Sequence, residues 1–339
     1  MLKSSSCSPK ILVVLVSCFL CFVYATPHSQ ELVPENIFHI GDSIGEAEAA
    51  NGIAGTHHHE NVWATGFDPD DQVQSFNERF NASCPTVFEE NSEEKDTIFN
   101  QAESGANMRD FASQAQKIVQ KAALTIKGTA GLITVYLGNN DACADTLAGM
   151  TTASEFETEY RAGLDILANS PATRNAHIHI SAIPSLYWLW VALKDDNLCT
   201  LVWQLVPCQN LLKNPANDCG AGNSYLDPDI IHDDDGANCI RRKQFHAVIR
   251  DVYNPILKNV LQEYVADGRL ANGYFSDVSV YQFQAEHINH GDCFHPSVAG
   301  QALLADKEWQ KSPWVDGLQC REQHAGQSRT FPWLLLLME

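Results

Sequence analysis

Along the chain, apolar runs of strand length alternate with longer stretches whose apolar residues recur every third or fourth position. Strands are predicted over Asn36–Ile40, Thr97–Asn100, Leu132–Leu137 and His177–Ile183, with a weaker candidate over Tyr274–Val280. The third run, LITVYL, is almost continuously apolar, as a strand covered on both faces must be. Phe111, Ala115, Ile118, Val119 and Ala122 share one helical stripe. Thr152 and Glu155 have capping-box spacing ahead of Phe156, Tyr160, Leu164 and Leu167. A long helix is expected from about Ile240 to Val265, kinked at Pro255, and a last one begins near Pro296. The alternation predicts an α/β fold, a parallel sheet of about five strands with helices on both faces.

The two ends and one internal segment break this rhythm. Lys3 and Lys10 precede an apolar run, Ile11–Ala25, that ends in small residues and is short for a membrane span. It reads as a signal peptide, residues 1–25. Leu15–Cys18 also resembles a lipoprotein box, but the apolar run continues past the cysteine. The remainder reads as one domain over residues 26–320, with an insertion at 185–239 that holds Trp188, Trp190 and Trp203. A tail, residues 321–339, carries an apolar stretch too short to cross a bilayer.

Cysteine usage strengthens the export reading. Of 11 cysteines, Cys7, Cys18 and Cys21 fall in the leader. Cys84, Cys143, Cys199, Cys208, Cys219, Cys239, Cys293 and Cys320 remain, an even number that predicts disulfides and leaves their pairing open. Among these eight, no closely spaced cysteine pair offers a zinc site. Asn81-Ala82-Ser83 is a glycosylation sequon. The formal charge is −20, and no basic patch offsets it, which excludes nucleic acid as the expected partner.

The candidate chemistry starts in NIFHIGDSIGEAEAA, residues 36–50. Gly41-Asp42-Ser43-Ile44-Gly45 fits G-x-S-x-G, but that elbow follows several strands in an α/β-hydrolase, and here one strand precedes it. A trypsin-type order fails as well, because no aspartate outside the motif precedes Ser43. A third frame places Ser43 where the first strand meets its helix, at the carboxyl edge of the sheet. Three further blocks follow in order: Ser104-Gly105 in NQAESGANM, G-x-N-D as Gly138 to Asp141 in YLGNNDAC, and Asp292 with His295 in GDCFHPS.

Together these blocks resemble the SGNH/GDSL hydrolases, with GNNDAC and DCFHPS similar to the phospholipase B-like branch. Gly45-Glu46 departs from the Ser/Thr and Gly common after the GDS block. The resemblance implies a three-layer, flavodoxin-like sandwich without metal or organic cofactor. It also implies Ser43 as nucleophile, His295 as base and Asp292 as its orienting acid. The backbone N–H groups of Ser43 and Gly105 and the Asn140 amide would form the oxyanion hole.

The expected activity is that of an exported serine esterase or lipase, hydrolysing lipid or phospholipid esters through an acyl-enzyme, with transient contact to a micelle or membrane surface. Carbohydrate deacetylation, acyl transfer and a retired acyl-binding scaffold are the alternatives. His57, His58 and His59 read as a solvated loop near the site, and the acidic runs Asp68–Asp71 and Asp227–Gly236 lack calcium-loop spacing. The insertion tryptophans read as the core of a disulfide-stapled subdomain, with an acyl clamp as the alternative. The insertion is expected to set acyl preference, so that shortening Trp188 or Trp190 would change long-chain turnover more than acetate turnover.

Overall fold

The computed structural model describes residues 31–206, 208–212, 218–220 and 224–321. The leader and all of the tail except Arg321 lie outside the described residues. Strands β2 (Ile37–Gly41), β3 (Leu132–Tyr136), β4 (His177–Ser181) and β5 (Asn272–Ser276) form one parallel sheet in that order. The first three are buried along their whole length. Strand β5 is an edge and half-buried, which accounts for its weak apolar signal. Two short strands, β1 (Glu31–Leu32) and β6 (Leu318–Gln319), pair separately.

The run Thr97–Asn100 is not a strand. Asp96–Phe99 makes a helical turn, α2, after α1 (Phe76–Ser83), and only Asn100 bridges to His39. Three acids, Glu93, Glu94 and Asp96, lie at the start of this turn, where the helix dipole favours negative charge. Two apolar residues, Ile98 and Phe99, cannot outweigh that. The strand's place beside β2 is still taken: the Gln101 N–H donates to His39 O at 2.9 Å and the Glu103 N–H to Gly41 O at 3.2 Å. Counting this extended edge, the spatial order is that of a flavodoxin-like sheet.

Helices cover both faces. On one, Phe38, Ile40, Ile133, Val135, Ile178 and Ile180 pack beneath α3 (Phe111–Ala122) and α5 (Ala153–Asn169); the minor turn α4 (Asn139–Ala142) lies between these two helices in the chain. The Thr152–Glu155 capping box opens α5 as its spacing requires. On the other face, Ile37, Leu132 and Tyr136 meet Trp63, Phe76, Phe80 and Leu304. The insertion folds into α6 (Leu186–Leu193), α7 (Asn197–Val202) and α8 (Gln209–Leu212). The long helix comprises α9 (Ala237–Val248), a π-turn over Ile249–Tyr253, and α10 (Asn254–Ala266). Pro255 sits in the first turn of α10, where its missing N–H is tolerated. The wider π-turn relieves the crowding that proline imposes on the preceding turn. The last helix, α11 (Val298–Gln310), is capped by Ser297.

All eight cysteines of the domain are paired: Cys84–Cys320, Cys143–Cys208, Cys199–Cys293 and Cys219–Cys239.

Candidate active site

Strand β2 ends at Gly41, and Asp42 turns the chain into a single tight turn, Ser43–Glu46, by accepting the Ile44 N–H at 3.0 Å. Gln114 holds both backbone groups of Gly41, at 3.0 and 2.9 Å. Beneath the turn lies His39, whose Nδ1 is 2.8 Å from Thr134 Oγ1. The Thr134 hydroxyl donates to Phe38 O, so it accepts from His39 Nδ1–H. Burial holds His39 near a pKa of about 3, hence neutral. A Cβ at position 45 would lie 2.4 Å from His39 Nε2. Gly45, the departure from the family pattern, is thus set by close approach to this ring. The neighbouring Glu46 accepts the Ser104 N–H through Oε2 at 2.6 Å.

The GDCFHPS loop places the base. Asp292 Oδ1 accepts the backbone N–H groups of Phe294 and His295 at 3.0 and 3.1 Å, and Oδ2 lies 2.7 Å from His295 Nδ1. An ionised carboxylate only accepts, so Nδ1 carries the proton and Nε2 presents its lone pair. That nitrogen is 2.8 Å from Ser43 Oγ. Burial works against protonation of His295. The hydrogen bond and charge of Asp292, with Glu48 and Asp42, outweigh it and hold the pKa above the ordinary value. Burial pushes Asp42 itself up to about 6 against the hydrogen bonds from Asn139 and Ile44.

The other two blocks meet at the same edge. Gly105 takes φ +79, which a side chain would strain. Asn140 donates to Ala106 O at 2.8 Å, while Asp141 accepts the Met108 N–H at 2.8 Å and the Thr151 hydroxyl at 2.7 Å. The G-x-N-D block therefore shapes the loop that carries Gly105, and one amide hydrogen of Asn140 is committed to that task. Asn140 also lines a cleft with Ser43 and His295. Its apolar wall includes Ile44, Leu186, Leu189, Phe283, Ile288 and Phe294.

The insertion thus reaches the cleft through leucines. Trp190 and Trp203 are fully buried and Trp188 nearly so. Trp190 stacks under the Arg242 guanidinium at 4.1 Å, and the Trp203 Nε1–H donates to Cys293 O at 2.7 Å.

Two features escaped sequence reasoning. Glu48 Oε2 approaches His295 Nε2 to 3.9 Å and accepts the Ser104 hydroxyl. A second serine–histidine–carboxylate chain runs through Ser185 Oγ, 2.8 Å from His246 Nδ1, with His246 Nε2 3.0 Å from Asp229 Oδ1. No short motif links these three residues in the sequence. Ser185 caps α6 by accepting the Tyr187 N–H, and Asp229 is shared with Arg250, so this chain binds elements together.

Of three clusters with metal-ligand residues among the described residues, two contain disulfide-bonded cysteines and the third is Glu46, His57 and His59. In the run Asp227–Gly236, Asp235 is buried against Lys243 Nζ at 2.8 Å and serves as its counter-ion. No described helix is long and apolar enough to cross a membrane.

No curated protein matches the chain. The family model for GDSL-like lipases and acylhydrolases matches residues 37–308, which takes in all four blocks. The chain belongs to the GDSL-like lipase/acylhydrolase family, and with it to the ester-hydrolysing enzymes.

Proposed function

We propose that the protein is an exported serine esterase acting on lipid or phospholipid esters through an acyl-enzyme on Ser43. The observation that carries this reading is the continuous chain from Asp292 through His295 to Ser43 Oγ, at 2.7 and 2.8 Å, at the mouth of an apolar cleft. His295 Nε2 takes the hydroxyl proton as Oγ attacks the ester carbonyl. The Ser43 and Gly105 N–H groups and the second amide hydrogen of Asn140 stabilise the oxyanion. Collapse of the intermediate expels the alcohol, which leaves with the proton from His295, and water repeats the sequence to free the acid. The apolar wall beside Ser43 suits an acyl chain better than a sugar face, which supports the lipid reading over carbohydrate deacetylation. Four disulfides agree with an oxidising, extracellular compartment.

The test is labelling of the secreted protein with a fluorophosphonate, followed by p-nitrophenyl esters from acetate to palmitate. Stoichiometric labelling lost in Ser43→Ala is expected. Labelling that persists at Ser185 would move the nucleophile to the second chain, and no labelling at all would favour a retired acyl-binding scaffold.

A further inference from the structure

The three consecutive histidines part company in the fold. His58 adopts φ −130 and ψ 67, outside the regular strand and helix regions, and its ring finds partners different from those of its two neighbours. Its own ring is occupied, with Nε2 2.9 Å from Thr56 Oγ1 and Nδ1 3.0 Å from Glu60 Oε1. His57 and His59 have their ring centroids 6.1 Å apart, and both meet carboxylates. His57 Nδ1 lies 3.3 Å from Glu46 Oε1, and His59 Nδ1 lies 3.2 Å from Asp96 Oδ2. One ligand atom from each of Glu46, His57 and His59 falls within 4.8 Å of the others.

We propose that Glu46, His57 and His59 bind a divalent transition-metal ion, zinc by donor type, with Asp96 adjacent as a fourth donor. Zinc holds nitrogen and oxygen ligands at about 2.0–2.1 Å, which puts tetrahedral neighbours roughly 3.3–3.4 Å apart. The His57–Glu46 and His59–Asp96 pairs already have that spacing. The other separations within the triad are at most 4.8 Å, and both imidazoles are about one-third exposed, at 39% and 34%, which leaves them room to turn. Two imidazoles exclude the all-oxygen preference of calcium and magnesium. This division of partners also resolves how a histidine triplet can serve one ion: it supplies two ligands, and the middle residue is a built-in control.

The site is structural in kind, since none of its ligands contacts Ser43 Oγ or His295. Glu46 is bidentate in role, offering Oε1 to the ion while Oε2 accepts the Ser104 N–H beside Gly105. A bound cation therefore ties the 46–59 loop and α2 to the Gly105 turn.

The experiment is calorimetric titration of the untagged mature protein, stripped with EDTA, using zinc chloride alone, with the thermal midpoint read in parallel. One saturable equivalent is expected, together with a raised midpoint that calcium chloride does not reproduce. His57→Ala and His59→Ala should each weaken zinc roughly tenfold or more, and His58→Ala should leave it within about twofold. Glu46→Gln keeps an acceptor for Ser104 N–H and so a folded loop, but should abolish the zinc-dependent rise. Equal weakening by His58→Ala, wild-type affinity in Glu46→Gln, or no saturable binding overturns the site. None of these readouts depends on esterase activity.

Discussion

A methyl group on residue 45 would sit 2.4 Å from His39 Nε2 and 2.8 Å from Ala102 Cβ. Gly45→Ala is therefore expected to cost about 1–3 kcal/mol, read from chemical denaturation, because both neighbours are held by the sheet. At Asn140, one amide hydrogen goes to Ala106 O, and the proposed mechanism assigns the other to the oxyanion. Asn140→Ala should lower kcat on a short-chain ester by on the order of 10²–10³ with KM little changed. The thermal midpoint must be measured alongside, since a collapsed midpoint with proportionate loss would assign the residue to the loop alone. His295→Ala should lose more, because no base then remains. The imidazole must be neutral to act, and its pKa is raised, so the acid limb of kcat/KM should lie above pH 6.5. Glu48→Gln removes a carboxylate that favours the imidazolium, so that limb should move to lower pH. A limb that stays put would separate Glu48 from His295.

Among the elements, β2, β3 and β4 were legible because burial on both faces demands short runs rich in β-branched and apolar residues, bounded by turn residues. The second predicted strand was not, since one turn of helix and one short strand share the same few apolar residues. Ser43, Asp292 and His295 were legible because each ends a strand or precedes a helix at motif spacing. Glu48 and the His57–Glu46 pair were hidden because their partners meet only when loops fold onto one another. The insertion divides similarly: its tryptophans announced a core, but composition alone could not show that Leu186 and Leu189 are the residues turned to the cleft. Leu189→Ala should reduce palmitate turnover several-fold relative to acetate, by removing apolar contact with the distal chain. Trp190→Ala should instead cost about 3–5 kcal/mol of stability and act equally on both esters. A selective loss in the tryptophan variant would reverse these assignments.

Across the whole molecule, two disulfides run from the insertion to the two loops that carry the chemistry. Cys143 follows the Asn140–Asp141 pair and joins Cys208, and Cys293 lies between Asp292 and His295 and joins Cys199. Neither link joins two strands of the sheet, so the sheet is expected to form without them. In a reducing compartment the chain can therefore assemble its sheet while the base loop and the Asn140 loop lack their tethers. Oxidation is then expected to act as an arming step, because it fixes the loops that carry Asn140 and His295. Protein made in a reducing cytoplasm should show native-like far-ultraviolet dichroism, little turnover, and recovery on mild oxidation. Full activity with all thiols free would mean that the tethers confer durability alone.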